Sequence, residues 1–130
     1  MTLDSSAVVS VIRRERGHAV LIGAMEQAAN LAIGAPTLAE TAIVLVARLG
    51  IVGRAVLSRF LEESKTIVIP FDDRHWGVAA EAFIRYGRGR HPAALNFGDC
   101  MTYATARLVG DPLLFVGEDF TKTDLVAALG

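Results

Sequence analysis

The chain is poor in the residues that staple a fold, chelate zinc or cradle a cofactor. Its 130 residues include one cysteine, Cys100, which excludes an intrachain disulfide and fits a reducing compartment. The three histidines, His18, His75 and His91, are widely separated and form no metal-spaced pair, which argues against a zinc site. No glycine-rich loop follows the first apolar stretch, and Gly87-Arg88-Gly89 runs into Pro92 rather than a third glycine, which argues against dinucleotide binding. Neither sign of charge dominates. Thirteen lysines and arginines face 14 aspartates and glutamates, for a net charge of −1 and a pI near 6.3. A purely electrostatic nucleic-acid binder needs a basic field that this balance does not supply. Long apolar runs are missing as well: the longest, Leu31–Ala35 and Ala39–Val46 (with Glu40 inside it), are too short to span a bilayer. Asp4 stands where a signal peptide needs its basic and apolar stretches. The expectation is a cytoplasmic protein that does not engage a membrane.

What is present is ample core material. Hydrophobic residues make up 52% of the chain and mean hydropathy is +0.42, enough for one domain over residues 1–130 and the opposite of a disordered composition. Apolar runs at Met1–Leu3, Leu31–Gly34, Thr66–Pro70 and Pro112–Val116 read as strands. Helical spacing covers Ala7–Arg14, with Ser5 or Ser6 as N-cap, then His18–Ala29, Thr37–Leu49 opened by Thr37, Gly53–Ser64, Arg74–Tyr86 and Gly98–Val109. Gly117–Phe120 reads as a turn and Thr121–Leu129 as a short terminal helix or strand. Alternation of this kind predicts an α/β fold: a parallel sheet of four to five strands with helices on both faces and strands buried on both sides.

In an open parallel sheet, ligands bind beyond the carboxyl ends of the strands. Asp4 ends the first strand, Glu40 lies in the helix after the second, Asp99 opens the Gly98–Val109 helix, and Glu118-Asp119 follows the last strand. Carboxylates gathered on one rim repel one another unless a cation neutralises them. A hard divalent ion such as Mg²⁺ takes oxygen ligands, usually one or two carboxylates with water and phosphate completing its shell. The chemistry this points to is metal-assisted phosphodiester hydrolysis. Each acid also has a plain structural reading. Thr37-x-x-Glu40 and Asn96-x-x-Asp99 have the form of capping boxes, and Asp4 and Asp119 suit turns or caps.

Four segments, Met1-Thr2-Leu3-Asp4-Ser5-Ser6-Ala7, Pro36-Thr37-Leu38-Ala39-Glu40, Leu95-Asn96-Phe97-Gly98-Asp99-Cys100 and Leu113-Leu114-Phe115-Val116-Gly117-Glu118-Asp119-Phe120, together resemble a PIN domain. More closely, the chain looks like a VapC-type ribonuclease toxin of a type II toxin–antitoxin pair. The resemblance covers essentially the whole chain. It implies a PIN-like α/β domain and an Mg²⁺-dependent endoribonuclease, with Mn²⁺ able to substitute, leaving a 5′-phosphate and a 3′-hydroxyl. By the same resemblance Asp4 and Asp99 are the metal ligands, Glu40 and Asp119 complete the catalytic cluster, and Ser6 matches a serine or threonine near the metal and the substrate. Many relatives carry a further acid where this chain has Gly117, which sets the neighbouring Glu118 apart. The partners implied are RNA, a VapB-like antitoxin placing an arginine among the acids, and a second copy of the chain, for which the helices Ala39–Leu49 and Val56–Leu61 offer apolar surface.

Arg85-Tyr86-Gly87-Arg88-Gly89-Arg90-His91 is the one local basic stretch, and it precedes Asp99. Arginine donates paired hydrogen bonds to phosphate, so Arg88, Arg90 and His91 are candidate RNA contacts; the alternative is a solvated loop. Tyr86 suits packing or base stacking, Trp76 core or interface, and Cys100 a buried structural thiol. An aspartyl phosphotransferase using Asp4 wants a second acid two residues on, where Ser6 stands. A degenerate PIN domain that only binds RNA or protein stays open beside the nuclease.

Overall fold

The computed structural model describes residues 1–129. β1 (Thr2–Leu3) leads into α1 (Ser5–Ile12) and α2 (His18–Gln27), and β2 (Ala32–Gly34) into α3 (Ala35–Leu49) and α4 (Val52–Ser64). β3 (Ile67–Ile69) is followed by α5 (Asp73–Tyr86) and α6 (Phe97–Val109), and β4 (Leu113–Leu114) by a C-terminal run of turns. The strands form one parallel sheet in the order β3-β2-β1-β4, the four-stranded α/β arrangement expected.

Alternation along the strands divides the interior. Thr2 pairs with Leu113 and Leu3 with Leu114, so Leu3 and Leu114 face one side and Leu113 the other. Leu3, Ile33 and Leu114 are fully buried against apolar residues of α1, α2, α3 and α4. Leu113 packs with Ala82, Tyr86, Tyr103 and Ala104 of α5 and α6. Each fully buried leucine or isoleucine contributes about 1.5–3 kcal/mol of transfer free energy.

The chain walks outward from β1 to β3 and then returns to lay β4 on the free side of β1. Strand order therefore reverses between β1 and β4, and the crevice beyond their carboxyl ends is where such a sheet takes ligands. α1 and α3 leave directly from the ends of β1 and β2, and α6 runs back just ahead of β4. Their N-termini, each carrying the positive end of a helix dipole, meet at that edge.

The structure departs from the sequence reading in five places. The α1 N-cap is Asp4, not Ser5 or Ser6: its carboxylate accepts the Ser6 N–H. α3 opens from Gly34 with Pro36 in its first turn, so Thr37 is an interior, buried residue and not a cap. β3 is not buried on both faces; Ile67 and Val68 are exposed on the sheet's outer edge. Thr121–Leu129 forms neither helix nor full strand, but Leu113 and Ala127 make one isolated parallel bridge. Within Val56–Leu61, Leu57 is buried and Phe60 and Leu61 pack on the core, so of the two helices read as offering apolar surface it is Ala39–Leu49 that exposes one, at Ile43, followed in the chain by the exposed Ile51 and Val52.

Candidate active site

Asp4 is nearly buried, at 6% exposure, and its carboxylate accepts three hydrogen bonds. Oδ2 accepts the Ser6 backbone N–H at 3.1 Å and the Ser6 hydroxyl. Oδ1 accepts the Thr102 hydroxyl at 2.9 Å. The Asp4 N–H donates to the Leu114 carbonyl, and the Ser6 oxygen accepts the Val116 N–H at 2.9 Å. These bonds tie the exits of β1 and β4 together across the reversal in strand order.

Glu40 is half-buried in the second turn of α3. With Gly34 as the α3 N-cap, the box suggested by Thr37-x-x-Glu40 is not formed. Glu40 Oε1 instead accepts the Ser5 hydroxyl at 2.9 Å, and its carboxylate lies against Gly98. A Cβ at residue 98 would stand 3.0 Å from Glu40 Cδ and closer still to Oε2. Glycine there lets α3's acid reach the N-terminus of α6.

Asp99 is half-buried in the first turn of α6. Its N–H donates to Asn96 Oδ1 at 2.9 Å, and its Oδ2 accepts the Asn96 N–H at 3.1 Å. The capping-box reading is realised, and it leaves the other carboxylate oxygen for chemistry. Asp119 is exposed on a turn whose next residue, Phe120, is buried and packs edge-on against Phe115 at 5.4 Å. Gly117 has φ 96°, a left-handed conformation that side chains resist, so the lack of an acid there has a backbone cause. Glu118 is exposed, with its carbonyl accepting from Thr121.

Electrostatics shows that the four acids share a field. Burial pushes the Asp99 carboxyl up to about 6. The Asn96 N–H opposes the rise, and the like charges of Asp119, Asp4 and Glu40 add to it. A cation among them would relieve this repulsion, and the donors are all hard carboxylate oxygens, which fits Mg²⁺ or Mn²⁺. The ring is open, however. Among the described residues, no group of three or more His, Cys, Asp or Glu side chains is disposed to hold a metal ion unaided, so water or phosphate oxygens would have to complete the shell.

The other candidate residues fall differently. Ser6 spends its proton on Asp4 and its lone pair on Val116, so its hydroxyl supports Asp4 from within the protein. Arg88 and Arg90 are exposed; Arg90 Nε donates to the Ile84 carbonyl, and its guanidinium lies 6.0 Å above the Phe83 ring. His91 Nδ1 accepts the Ala93 N–H, and the ring meets Tyr86 edge-on. Their loop closes through Leu95 N–H to the Tyr86 carbonyl, one residue before Asn96. Arg85 pairs with Asp124 and stacks on Tyr86, and Tyr86 is buried, so both serve packing. Cys100 is buried, and desolvation pushes its thiol up to about 11, the inert thiol expected. Trp76 is neither core nor covered. It is exposed on an apolar cleft of about 470 Å³ with Phe83, Phe97 and Met101.

Sequence reasoning missed the supports. Ser5, Thr37 and Thr102 read as caps or ordinary helix residues, yet Ser5 holds Glu40 and Thr102 holds Asp4. The available signal was spacing: Thr37 and Thr102 each lie three residues from an acid on the same helix, hence on the same face.

Known proteins share this architecture. The PIN domain family matches residues 1–126. The chain is 51% identical to Ribonuclease VapC36 of Mycobacterium tuberculosis over 126 residues, covering 96% of this chain and 91% of that one. It is 38% identical to Ribonuclease VapC of Mycolicibacterium smegmatis over 127 residues, covering 98% of each. Among solved structures, the Mycobacterium tuberculosis sarcin–ricin loop cleaving toxin VapC20 superposes with a TM-score of 0.78 at 17% identity, covering 96% of this chain and 95% of that one. A toxin–antitoxin complex from Klebsiella pneumoniae gives 0.72 at 16% identity, with 97% and 94% covered. At those identities the two structures bear on the fold alone.

Proposed function

Because the chain belongs to the PIN-domain family, among its VapC ribonucleases, we propose that it is a divalent-metal-dependent endoribonuclease and the toxin of a toxin–antitoxin pair. The observation that supports this reading best is geometric: Asp4 is bonded to Thr102, one turn after Asp99 on α6, and Glu40 lies against Gly98, the residue before Asp99, all beside the reversal in strand order. Asp4 and Asp99 would hold the ion, with Glu40 and Asp119 completing its acidic surroundings. Mg²⁺, or Mn²⁺ in its place, supplies positive charge for the scissile phosphate and lowers the pKa of water.

The chain's own residues do the rest. Ser6 and Thr102 fix the Asp4 carboxylate, Asn96 fixes Asp99, and Ser5 fixes Glu40. The N-termini of α1 and α6 favour an anion at this edge. Arg88 and Arg90, exposed on the loop leading to α6, suit RNA phosphates. His91 keeps one ring nitrogen for the same purpose, the other being held by Ala93. With four of the 14 acids committed to the site, the 13 bases outnumber the acids that remain. A VapB-like antitoxin would silence the site by setting an arginine among the carboxylates. Ile43, Ile51 and Val52 supply apolar surface for a homodimer. No described helix is long and apolar enough to cross a membrane.

The test is cleavage of total cellular RNA by purified, antitoxin-free protein in Mg²⁺ or Mn²⁺, beside Asp99→Asn and Asp4→Asn. Discrete fragments from the wild type, lost in EDTA and in both variants, are expected. Equal cleavage by all three proteins would mean a contaminating nuclease. Metal binding without cleavage of any RNA would favour the binding-only PIN domain.

A further inference from the structure

Behind the acids lies a short chain of buried hydroxyls. Thr37 on α3 and Thr102 on α6 are 2% and 1% exposed, and their Oγ1 atoms are 2.9 Å apart. Thr102 Oγ1 is also 2.9 Å from Asp4 Oδ1. A hydroxyl carries one proton, and an ionised carboxylate has none to give. Thr102 must therefore donate to Asp4, which leaves it only a lone pair for Thr37, so Thr37 must donate to Thr102. The direction of both bonds follows from counting protons. Water does not reach either threonine, so nothing replaces a lost link.

We propose that Thr102 is a positioning residue for the metal-holding Asp4, and that Thr37 sets the direction of the Thr102 proton. The pair joins three elements, since Thr37 lies one turn before Glu40 on α3 and Thr102 one turn after Asp99 on α6. The chain thus sets the spacing of Asp4 relative to the helices that carry Glu40 and Asp99. Thr41 anchors the α3 end by donating to the Thr37 carbonyl at 2.7 Å. Removing outer partners of metal ligands typically weakens metal affinity 10- to 100-fold. This inference rests on the reading of Asp4 as a metal-holding acid, and the test separates the two.

Mn²⁺ affinity is measured by calorimetry on the full chain without RNA, with thermal unfolding in parallel. Thr102→Val, nearly isosteric, is expected to lose on the order of tenfold in affinity while remaining folded, and Thr102→Ser to restore it. Thr37→Val, which keeps the Thr102–Asp4 bond, is expected to lose several-fold alone and to add nothing in the Thr102→Val background. Should Thr102→Val fail to fold, Thr37→Val and Thr102→Ser carry the test. Wild-type affinity in Thr37→Val and Thr102→Val, with affinity lost in Asp4→Asn, would overturn the positioning role and leave the site intact. Affinity unchanged in Asp4→Asn would overturn the reading of Asp4 itself.

Discussion

Gly98→Ala separates stability from activity. Gly98 lies in the first turn of α6, with φ outside the left-handed region, so alanine fits the backbone. Its new methyl would stand 3.0 Å from Glu40 Cδ and 3.2 Å from Oε1, inside ordinary contact distance. The obstructing atoms are the far end of a half-buried side chain, which can swing away cheaply. Helix propensity then works the other way: alanine is better than glycine by up to about 1 kcal/mol, a gain of a few degrees in Tm for a domain of this size. The displaced carboxylate loses the 2.9 Å bond from Ser5 and its place beside Asp99. Misplacing an active-site group by about 1 Å costs on the order of 100-fold in rate. Thermal unfolding and kcat/KM on a cleaved RNA are the assays. The expected result is unchanged or raised Tm with a loss of activity of that order. Wild-type activity would refute a part for Glu40 in the site, and a Tm lowered by several degrees would refute the claim that Glu40 yields more easily than the helix.

Three further outcomes follow from other parts of the molecule. Burial alone would raise the Asp124 carboxyl, but the Tyr103 hydroxyl at 2.6 Å and the charges of Arg107 and Arg85 hold it below the ordinary carboxylate value. A lowered folded-state pKa stabilises above the unfolded pKa of about 3.9, and that contribution vanishes as pH falls through the folded value. Asp124→Asn should therefore cost about 1–2 kcal/mol at pH 7 and progressively less as the pH falls below the unfolded value; a deficit that does not shrink on acidification, read by circular dichroism, would contradict this. Cys100 should resist a thiol reagent at pH 8 in the native protein and react fully in denaturant, whereas rapid native labelling would show the thiol to be accessible. Phe120→Ala should cost roughly 3–5 kcal/mol through the cavity it leaves and lower cleavage further by freeing the turn that carries Asp119; a variant that keeps both stability and rate would remove Phe120 as the anchor.

The alternation of apolar runs was enough to read a parallel sheet, because β1, β2 and β4 are buried and their segments carry little but apolar side chains. β3 misled for the same reason: Ile67 and Val68 are as apolar as any core strand, and only the strand order shows that nothing covers them. The edge to look at was legible, because helices that follow parallel strands place their N-termini at the carboxyl end of the sheet, where Asp4 and Asp99 stand in first-turn or cap positions. Caps were harder. Asp4 took the cap from the two serines because α1 begins at Ser5, earlier than its apolar spacing indicates, and Thr37 lost its cap role because α3 begins at Ala35 with Gly34 before it. The hydroxyl supports left only a faint trace: spacing puts Thr37 and Thr102 on the same helix face as an acid, but their partners were hidden, since Ser5–Glu40 and Thr102–Asp4 join residues 35 and 98 positions apart.

The acids differ in how deeply the fold depends on them. Asp4 is buried, caps α1 and takes bonds from two helices, whereas Asp119 is exposed on its turn. In a population selected to survive this protein's activity, silencing mutations at position 119 would leave abundance untouched, while those at position 4 would also deplete the folded chain. On the roles proposed for these acids, lineages that escape the toxin while keeping its fold as a partner-binding body would lose Asp119 early and Asp4 last, so that position 4 would outlive the chemistry proposed for it.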